Sequence, residues 1–132
     1  MSQFTTELVV DKIGPNSWIL LEKFEYHIGS YPSENVIKVP IGFITDFASI
    51  PKIFWSIIGP NGTHGKAAVL HDYCYATACY GKFKSDCIFL EAMKVLNVPL
   101  IDRVTLFTAV VLFGWGAWYK HRKEDKFRTK FK

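Results

Sequence analysis

The fold is decided at residues 66–75, which read Lys-Ala-Ala-Val-Leu-His-Asp-Tyr-Cys-Tyr. The apolar residues of this stretch recur at the spacing of one helical face, and His71 lies in the middle of that face. The sequence therefore predicts a helix from about Lys66 through Tyr75, with Gly81 as a break beyond it. A histidine in an apolar face needs a partner, because an unpaired polar group is costly to bury.

The residues before this helix have the pattern of strands. Short apolar or alternating runs bounded by turn residues predict a small antiparallel sheet of three to four strands, at residues 8–10, 18–21, 24–28 and 36–39. A short apolar helix is expected to begin at Ser49 and Pro51, and a glycine-rich loop follows at residues 59–65.

The residues after the central helix predict further helices. Ser85 or Asp86 is expected to cap the next one, and Asp102 the last, which would continue to about His121. With the sheet first and three to four helices after it, the fold class is α+β.

Charge divides the chain into two parts. Of the 132 residues, 49% are hydrophobic, and the net charge is +4. Seven of the 16 basic residues lie in 120–132 beside two acidic ones, so residues 1–119 are nearly neutral.

We predict a single domain over 1–119 and a basic C-terminal tail over 120–132. The neutral body makes sequence-specific binding to nucleic acid unexpected. The tail supplies the candidate partner-binding residues Lys120, Arg122, Lys123, Lys126 and Arg128.

The segment from Val104 to Tyr119 carries no charge. At about 1.5 Å per residue it would be shorter than the ~30 Å hydrocarbon core of a bilayer. A buried core helix is the first interpretation, and a helix associated with a membrane through the basic tail is the second.

No signal peptide is expected, and the three cysteines predict reduced thiols.

Asp86 lies at the start of the apolar stripe of the second predicted helix, and His71 lies in the middle of the apolar stripe of the first. The two side chains are expected to find each other, directly or through water. An aspartate bonded to one ring nitrogen fixes the histidine tautomer and leaves the other nitrogen as a general base. Alternatively, Asp86 is only a helix cap and His71 a core histidine.

Asp72 follows His71 and projects about 100° around the helix from it. It could face the loop at 59–65, whose carbonyl groups would complete a set of hard oxygen ligands. Such a set suits Ca²⁺ or Mg²⁺ rather than Zn²⁺. The alternative is that Asp72 is a surface residue. A zinc set of His71 with the three cysteines has a spacing that matches no common zinc motif.

The pattern His71-Asp72-x-x-Tyr75 followed by Asp86-x-x-Phe89 resembles the active-site helix pair of secreted and viral phospholipases of the A-two class. That resemblance implies that His71 activates water, that Asp72 binds Ca²⁺ and that Asp86 orients His71. The chain departs from those enzymes where Leu70 replaces their usual cysteine, and where their disulfide framework is missing.

A second resemblance covers more of the chain. It includes Thr-Asp-Phe-Ala-Ser-Ile-Pro at 45–51, Ala-Ala-x-Leu-His-Asp-x-x-Tyr at 67–75 and Asp86-x-x-Phe89. These motifs resemble an uncharacterised family encoded by tailed phages and prophages. The resemblance implies the host cytoplasm or a virion as the location. The resemblance adds Thr45, Asp46 and Ser49 to the candidate site, with Asp46 as a further metal ligand. Alternatively, Asp46 forms an Asx-turn and Ser49 caps a helix.

Two functions from different classes follow. The first is a phage- or prophage-encoded metal-assisted hydrolase with His71, Asp86 and Tyr75 as catalytic residues, and an ester or lipid substrate by resemblance. The second is a virion or tail-assembly component without catalysis, which docks on other phage structural proteins through its basic aromatic tail.

Overall fold

The computed structural model describes residues 2–5, 8–14, 17–30, 32–47, 50–55 and 65–130. Side chains of the last helix are described as far as Lys123. The described residues form an α+β protein in which the strands precede the helices, as the sequence predicts. The described strands are β1 (Gln3–Phe4), β2 (Val10–Gly14), β3 (Ser17–Leu20), β4 (Phe24–His27), β5 (Val36–Val39) and β6 (Ile44–Thr45).

These strands pair in two antiparallel sheets of three strands each rather than in one sheet. The first has the order β1-β4-β5, with Tyr26 at the centre of β4 opposite both Phe4 and Ile37. The second has the order β2-β3-β6, and places Thr45 opposite Trp18. This pairing brings Thr45, where the Thr-Asp-Phe-Ala-Ser-Ile-Pro motif begins, to the sheet edge that faces the central helix.

A 3₁₀ turn, Lys52–Phe54, lies where a short apolar helix is predicted. Four helices follow: α1 (Gly65–Thr77), α2 (Lys82–Val95), α3 (Leu100–Phe113) and α4 (Trp115–Lys130). Helix α1 packs against α2, α4, β5 and β6, and α3 packs against α2. The main core lies between the sheets and α1, α2 and α3, and its fully buried side chains include Leu20, Phe24, Tyr26, Val39, Leu70, Phe89, Met93 and Leu106.

The predicted starts of the last two helices are wrong. Helix α2 begins at Lys82 after Gly81, so Asp86 lies inside the helix, and Ser85 donates its hydroxyl to the Gly81 carbonyl oxygen at 2.9 Å. The helix begins earlier because Lys82 pairs with Asp86 one turn on. Asp102 is likewise in the first turn of a helix that begins at Leu100.

The predicted helix up to His121 is interrupted at Gly114, which separates α3 from α4. The two helices meet at a bend of 52°. In the described part of the chain no single helix is long and apolar enough to cross a membrane, whereas Leu100–Phe113 and Trp115–Lys123 together reach that length and composition. Helix α4 continues across position 119, where the sequence predicts the end of the domain.

Candidate functional site

The site is built around a buried contact between α1 and α2. His71 Nε2 lies 2.7 Å from Asp86 Oδ1, and both side chains are fully buried. The contact forms because α1 ends at Thr77 and four residues connect it to α2, which sets Asp86 beside His71. The direct contact that the two apolar stripes predict is therefore present.

Two further side chains complete the surroundings of Asp86. Tyr75 donates its hydroxyl to Asp86 Oδ1 at 2.6 Å, and Lys82 Nζ donates to Asp86 Oδ2 at 2.9 Å. Burial alone would raise the pKa of Asp86, but the hydrogen bonds from His71, Tyr75 and Lys82 hold the pKa of this carboxyl below its usual value. Burial and the bond to Asp86 raise the pKa of the Tyr75 hydroxyl, so it stays a donor.

This charge state assigns the proton on the His71 ring. An ionised Asp86 can only accept hydrogen bonds, so Nε2 of His71 carries the hydrogen in their contact. In the neutral imidazole Nδ1 is then the basic nitrogen. The ring is held between Tyr75 and Phe89, whose ring centroids lie 4.2 and 4.7 Å from its own.

Lys82 is a buried cation that the sequence pattern does not single out. Its Nζ donates to the carbonyl oxygens of Val110 at 3.0 Å and Val111 at 3.3 Å, in addition to Asp86. It also lies 4.6 Å from the ring centroid of Trp115. The sequence indicates its role only through its position four residues before Asp86 on the same helix, because this is the spacing at which two helical residues form an ion pair.

Helix α4 supports the site from the other side. Trp118 packs edge-on against Tyr75, with ring centroids 5.3 Å apart. Arg122 stacks over Trp118 and donates to the carbonyl oxygens of Tyr75 at 2.7 Å and Ala76 at 3.1 Å, at the C-terminal end of α1. A guanidinium at this end also complements the helix dipole. Arg122, predicted to bind a partner, is therefore half-buried and held by α1.

Asp72 is buried, so its interpretation as a surface residue is wrong. Thr45 donates its hydroxyl to Asp72 Oδ2 at 2.5 Å, which joins two residues that the motifs single out separately. Oδ1 of Asp72 is buried and accepts no hydrogen bond from the described part of the chain. His121 Nε2 lies 3.8 Å from this oxygen.

The other candidate ligands are less completely described. Asp46 follows Thr45 and is half-buried, whereas Ser49 and the loop at 59–64 lie outside the described residues. Within the described ranges, no group of three or more His, Cys, Asp or Glu side chains could hold a metal ion. The zinc alternative has no support there, since Cys74 is buried while Cys79 and Cys87 are exposed.

The remaining partner-binding candidates lie along α4. Lys120 and Lys123 are exposed, and the side chains of Lys126 and Arg128 lie outside the described residues.

Exposed apolar side chains precede these basic residues on α3 and at the start of α4, and we call this surface the apolar face. It consists of Leu100, Ile101, Val104, Leu112, Phe113, Trp115 and Tyr119, each 48–79% exposed.

The fold and the site define an α+β protein with a buried His–Asp–Tyr–Lys set between two helices. The chain belongs to the family described as "Protein of unknown function (DUF1353)", whose model matches residues 18–110. That range contains His71, Asp72, Tyr75, Lys82 and Asp86, while the basic residues from 120 onward lie outside it.

A curated relative from Sinorhizobium fredii (strain NBRC 101917 / NGR234), "Uncharacterized protein y4jT", is 36% identical over 89 residues. The match covers 64% of this chain and 26% of the relative, so the chain spans about a quarter of that protein's length. No solved structure matches the chain.

Proposed function

We propose that this chain is a metal-assisted hydrolase of carboxylic esters, with lipid esters at an anionic surface as its substrate class. The observation that carries the proposal is the convergence of His71 Nε2 and the Tyr75 hydroxyl on a single oxygen of Asp86, at 2.7 and 2.6 Å. This is the arrangement in which an aspartate orients a histidine to act as a base. The resemblance to phospholipases of the A-two class supports the same roles.

The residues divide the chemistry as follows. Nδ1 of His71 takes a proton from the attacking water, and Asp86 stabilises the imidazolium that forms. Tyr75 and Lys82 are positioning residues, because each hydrogen-bonds the Asp86 carboxylate. Lys82 also balances the Asp86 charge, so the buried site carries little net charge before the proton moves.

Asp72 is the residue that would hold a divalent cation. Among the described residues its buried Oδ1 accepts no hydrogen bond and has only the more distant His121 Nε2 beside it, at 3.8 Å, so it fits a cation ligand. A bound Ca²⁺ or Mg²⁺ would polarise the ester carbonyl and stabilise developing negative charge. Asp46 is the further ligand that we propose.

The substrate class follows from the surface of α3 and α4. The apolar face is continuous along the chain with a segment rich in Lys and Arg, and Trp115 and Tyr119 stand at the boundary between them. Apolar, aromatic and then basic residues in this order suit a helix lying in the interface of an anionic membrane. We therefore propose an anionic lipid surface as the partner of this face.

The test is hydrolysis of anionic phospholipid vesicles in Ca²⁺ or Mg²⁺, with fatty-acid release measured by mass spectrometry. We expect release by the unchanged chain and a loss of at least about 100-fold in His71→Asn, since general-base catalysis contributes about 10²–10⁴-fold. His27→Asn is the matched control, because His27 is also buried but belongs to β4. Equal rates for the unchanged chain and His71→Asn would contradict the proposal.

Cation binding is tested separately by calorimetry with Ca²⁺, Mg²⁺ and Mn²⁺. We expect binding by the unchanged chain and at least tenfold weaker binding by Asp72→Asn, which keeps the shape of the side chain. If the folded protein binds none of these ions, the metal-assisted mechanism is wrong. The vesicle assay then tests whether the chain hydrolyses esters without a metal.

A second candidate function is favoured by the complete burial of His71. A substrate would have to displace neighbouring side chains to reach the ring, whereas a structural role needs no access. In this function the chain is a phage or prophage virion or tail-assembly component, and the resemblance to the phage-encoded family supports that origin. Its basic segment docks on another phage structural protein.

Charge removal tests the docking role without disturbing α1. Glutamine at Lys120, Lys123, Lys126 and Arg128 spares Arg122, which holds the end of α1. We expect loss of incorporation into particles, with incorporation kept when exposed lysines elsewhere are changed (Lys12, Lys38, Lys84 and Lys94). Particles that retain the tail variant would contradict this candidate.

A further inference from the structure

Two cysteines lie together at the C-terminal end of α1, apart from the His71 site. Cys74 is fully buried and Cys79 is exposed, and the two thiol groups are close enough to interact electrostatically. We propose that they form a thiol-exchange site for a small anionic disulfide, in which Cys79 reacts first and Cys74 completes the exchange.

The backbone explains why the two thiols meet. Helix α1 ends at Thr77, and Ala78 has φ 50°, a left-handed conformation that turns the chain back over the helix end. The Ala78 amide donates to the Cys74 carbonyl oxygen at 2.9 Å, which fixes this turn. Cys79, the next residue, is thereby carried back to the Cys74 side chain.

Cys79 has the chemical character of an attacking thiol. The hydrogen bond from Cys74 is the largest cause that lowers the pKa of Cys79 from 9.0 to about 6, against the opposing effect of burial. Burial and the nearby Asp86 carboxylate raise the pKa of Cys87, the other exposed cysteine. At neutral pH Cys79 is therefore mostly thiolate and Cys87 mostly thiol.

A pocket beside Cys79 offers room for a ligand. Its volume is about 310 Å³, at the lower end of the range for small-molecule sites. Cys79, Tyr73, Tyr80 and three residues of β5 line it, and Lys38 is the basic one among them. Lys84 Nζ lies 4.7 Å from the Tyr80 ring centroid. Aromatic walls with Lys38 among the lining residues favour a ligand that carries a carboxylate.

The acidic group closest to Lys38 along the sheet is Glu25. It stands opposite Lys38 in the register of β4 and β5. Its carboxylate lies 3.2 Å from His27 Nε2, on its own strand. Glu25 therefore shares the sheet face of Lys38 and offsets part of its charge, while His27 competes with Lys38 for the Glu25 carboxylate.

The exchange balances in two steps. The Cys79 thiolate attacks one sulfur of the ligand disulfide, a bond forms between the protein and that half of the ligand, and the other half leaves as a thiolate. Cys74 then attacks the Cys79 sulfur, its proton passes to the second leaving thiolate, and a Cys74–Cys79 disulfide forms. Two protein thiols are oxidised, and one ligand disulfide is reduced to two thiols.

Glutathione disulfide is the probe, and mass spectrometry of the intact chain without reductant is the measurement. We expect the unchanged chain to lose the mass of two hydrogen atoms, whereas Cys74→Ala accumulates one glutathione adduct on Cys79. Cys79→Ser should gain no adduct at a comparable rate, and Cys87→Ser should behave as the unchanged chain. Cys79 should react at least about fivefold faster than Cys87 at pH 7, since its larger thiolate fraction outweighs its lower intrinsic nucleophilicity.

Charge recognition is tested with Lys38→Glu and with the neutral disulfide of mercaptoethanol. We expect Lys38→Glu to slow the reaction with glutathione disulfide several-fold and to leave the reaction with the neutral disulfide unchanged. Equal modification of Cys79 and Cys87, or a stable adduct on the unchanged chain, would overturn the exchange site. Equal effects of Lys38→Glu on both disulfides would overturn the anionic ligand. None of these results depends on hydrolysis by the His71 site.

Discussion

Gly114 leaves the space in which the Tyr75 hydroxyl reaches Asp86. A Cβ atom on Gly114 would lie 2.6 Å from the Tyr75 hydroxyl oxygen, and would also crowd the Val110 carbonyl oxygen. The bend between α3 and α4 and the geometry of the buried site therefore depend on the same glycine.

Gly114→Ala is expected to destabilise the chain by about 1–3 kcal/mol, because an added methyl group must displace Tyr75 or the end of α3. Gly116→Ala is the control, since no atom lies within 4 Å of its Cβ position. Alanine there should be neutral or stabilising by up to ~1 kcal/mol. Urea unfolding measures both changes, and equal stability of the two variants would contradict the close approach to Tyr75.

Lys82→Met is expected to cost about 3–5 kcal/mol in the free energy of unfolding, because it leaves Asp86 with a buried and less compensated charge. Lys84→Met, on the exposed side of α2, should change it by no more than about 0.5 kcal/mol. The double variant with Lys82→Met and Asp86→Asn should have a higher free energy of unfolding than Lys82→Met alone, because the uncompensated charge of Asp86 is removed. A Lys82→Met variant as stable as Lys84→Met would show that the pair does not support the fold.

The stability of the chain is expected to fall in acid partly through Asp86. The pKa of this group is lowered from its ordinary value of 3.8 in the folded chain. Its contribution is therefore complete above 3.8 and is lost as the pH falls toward the lower folded value. Denaturant unfolding between pH 6 and pH 2 should show a smaller decline for Asp86→Asn than for the unchanged chain. Parallel declines would mean that Asp86 is not the group responsible.

Leu112→Glu is expected to weaken binding to anionic vesicles at least tenfold, because it removes a leucine from the apolar face and adds a repelled charge. Ile53→Glu is the control, since Ile53 is 81% exposed but lies on the 3₁₀ turn outside that face. Vesicle sedimentation measures both. Similar affinities of the two variants would mean that the apolar face does not contact lipid.

The α+β class and the pairing of His71 with Asp86 could be predicted because both follow from local periodicity. The apolar stripes of two consecutive helices carry those residues inward whatever the rest of the chain does. The interruption at Gly114 could not be predicted in this way, because residues 104–119 form one uncharged run. The space beside Gly114 is taken by Tyr75, which approaches from a distant part of the sequence.

Contacts between residues that are distant in the sequence also explain the strands and the role of Arg122 that local periodicity does not predict. β1 and β6 have two residues each, too few to show alternation, and their pairing with β4 and β3 makes them strands. The role of Arg122 depends on the return of α4 to the end of α1, so the sequence shows only one cation among several in a basic segment.

The proposed chemistry depends most directly on Nδ1 of His71 being its basic nitrogen. Nitrogen-15 NMR of the imidazole rings at pH 8, with His71 assigned by comparison with His71→Asn, measures which nitrogen carries the hydrogen. We predict hydrogen on Nε2, which the 2.7 Å contact with the Asp86 carboxylate requires, and none on Nδ1, which the proposed role as a base requires. A ring with hydrogen on Nδ1 would contradict the proposal that His71 activates water.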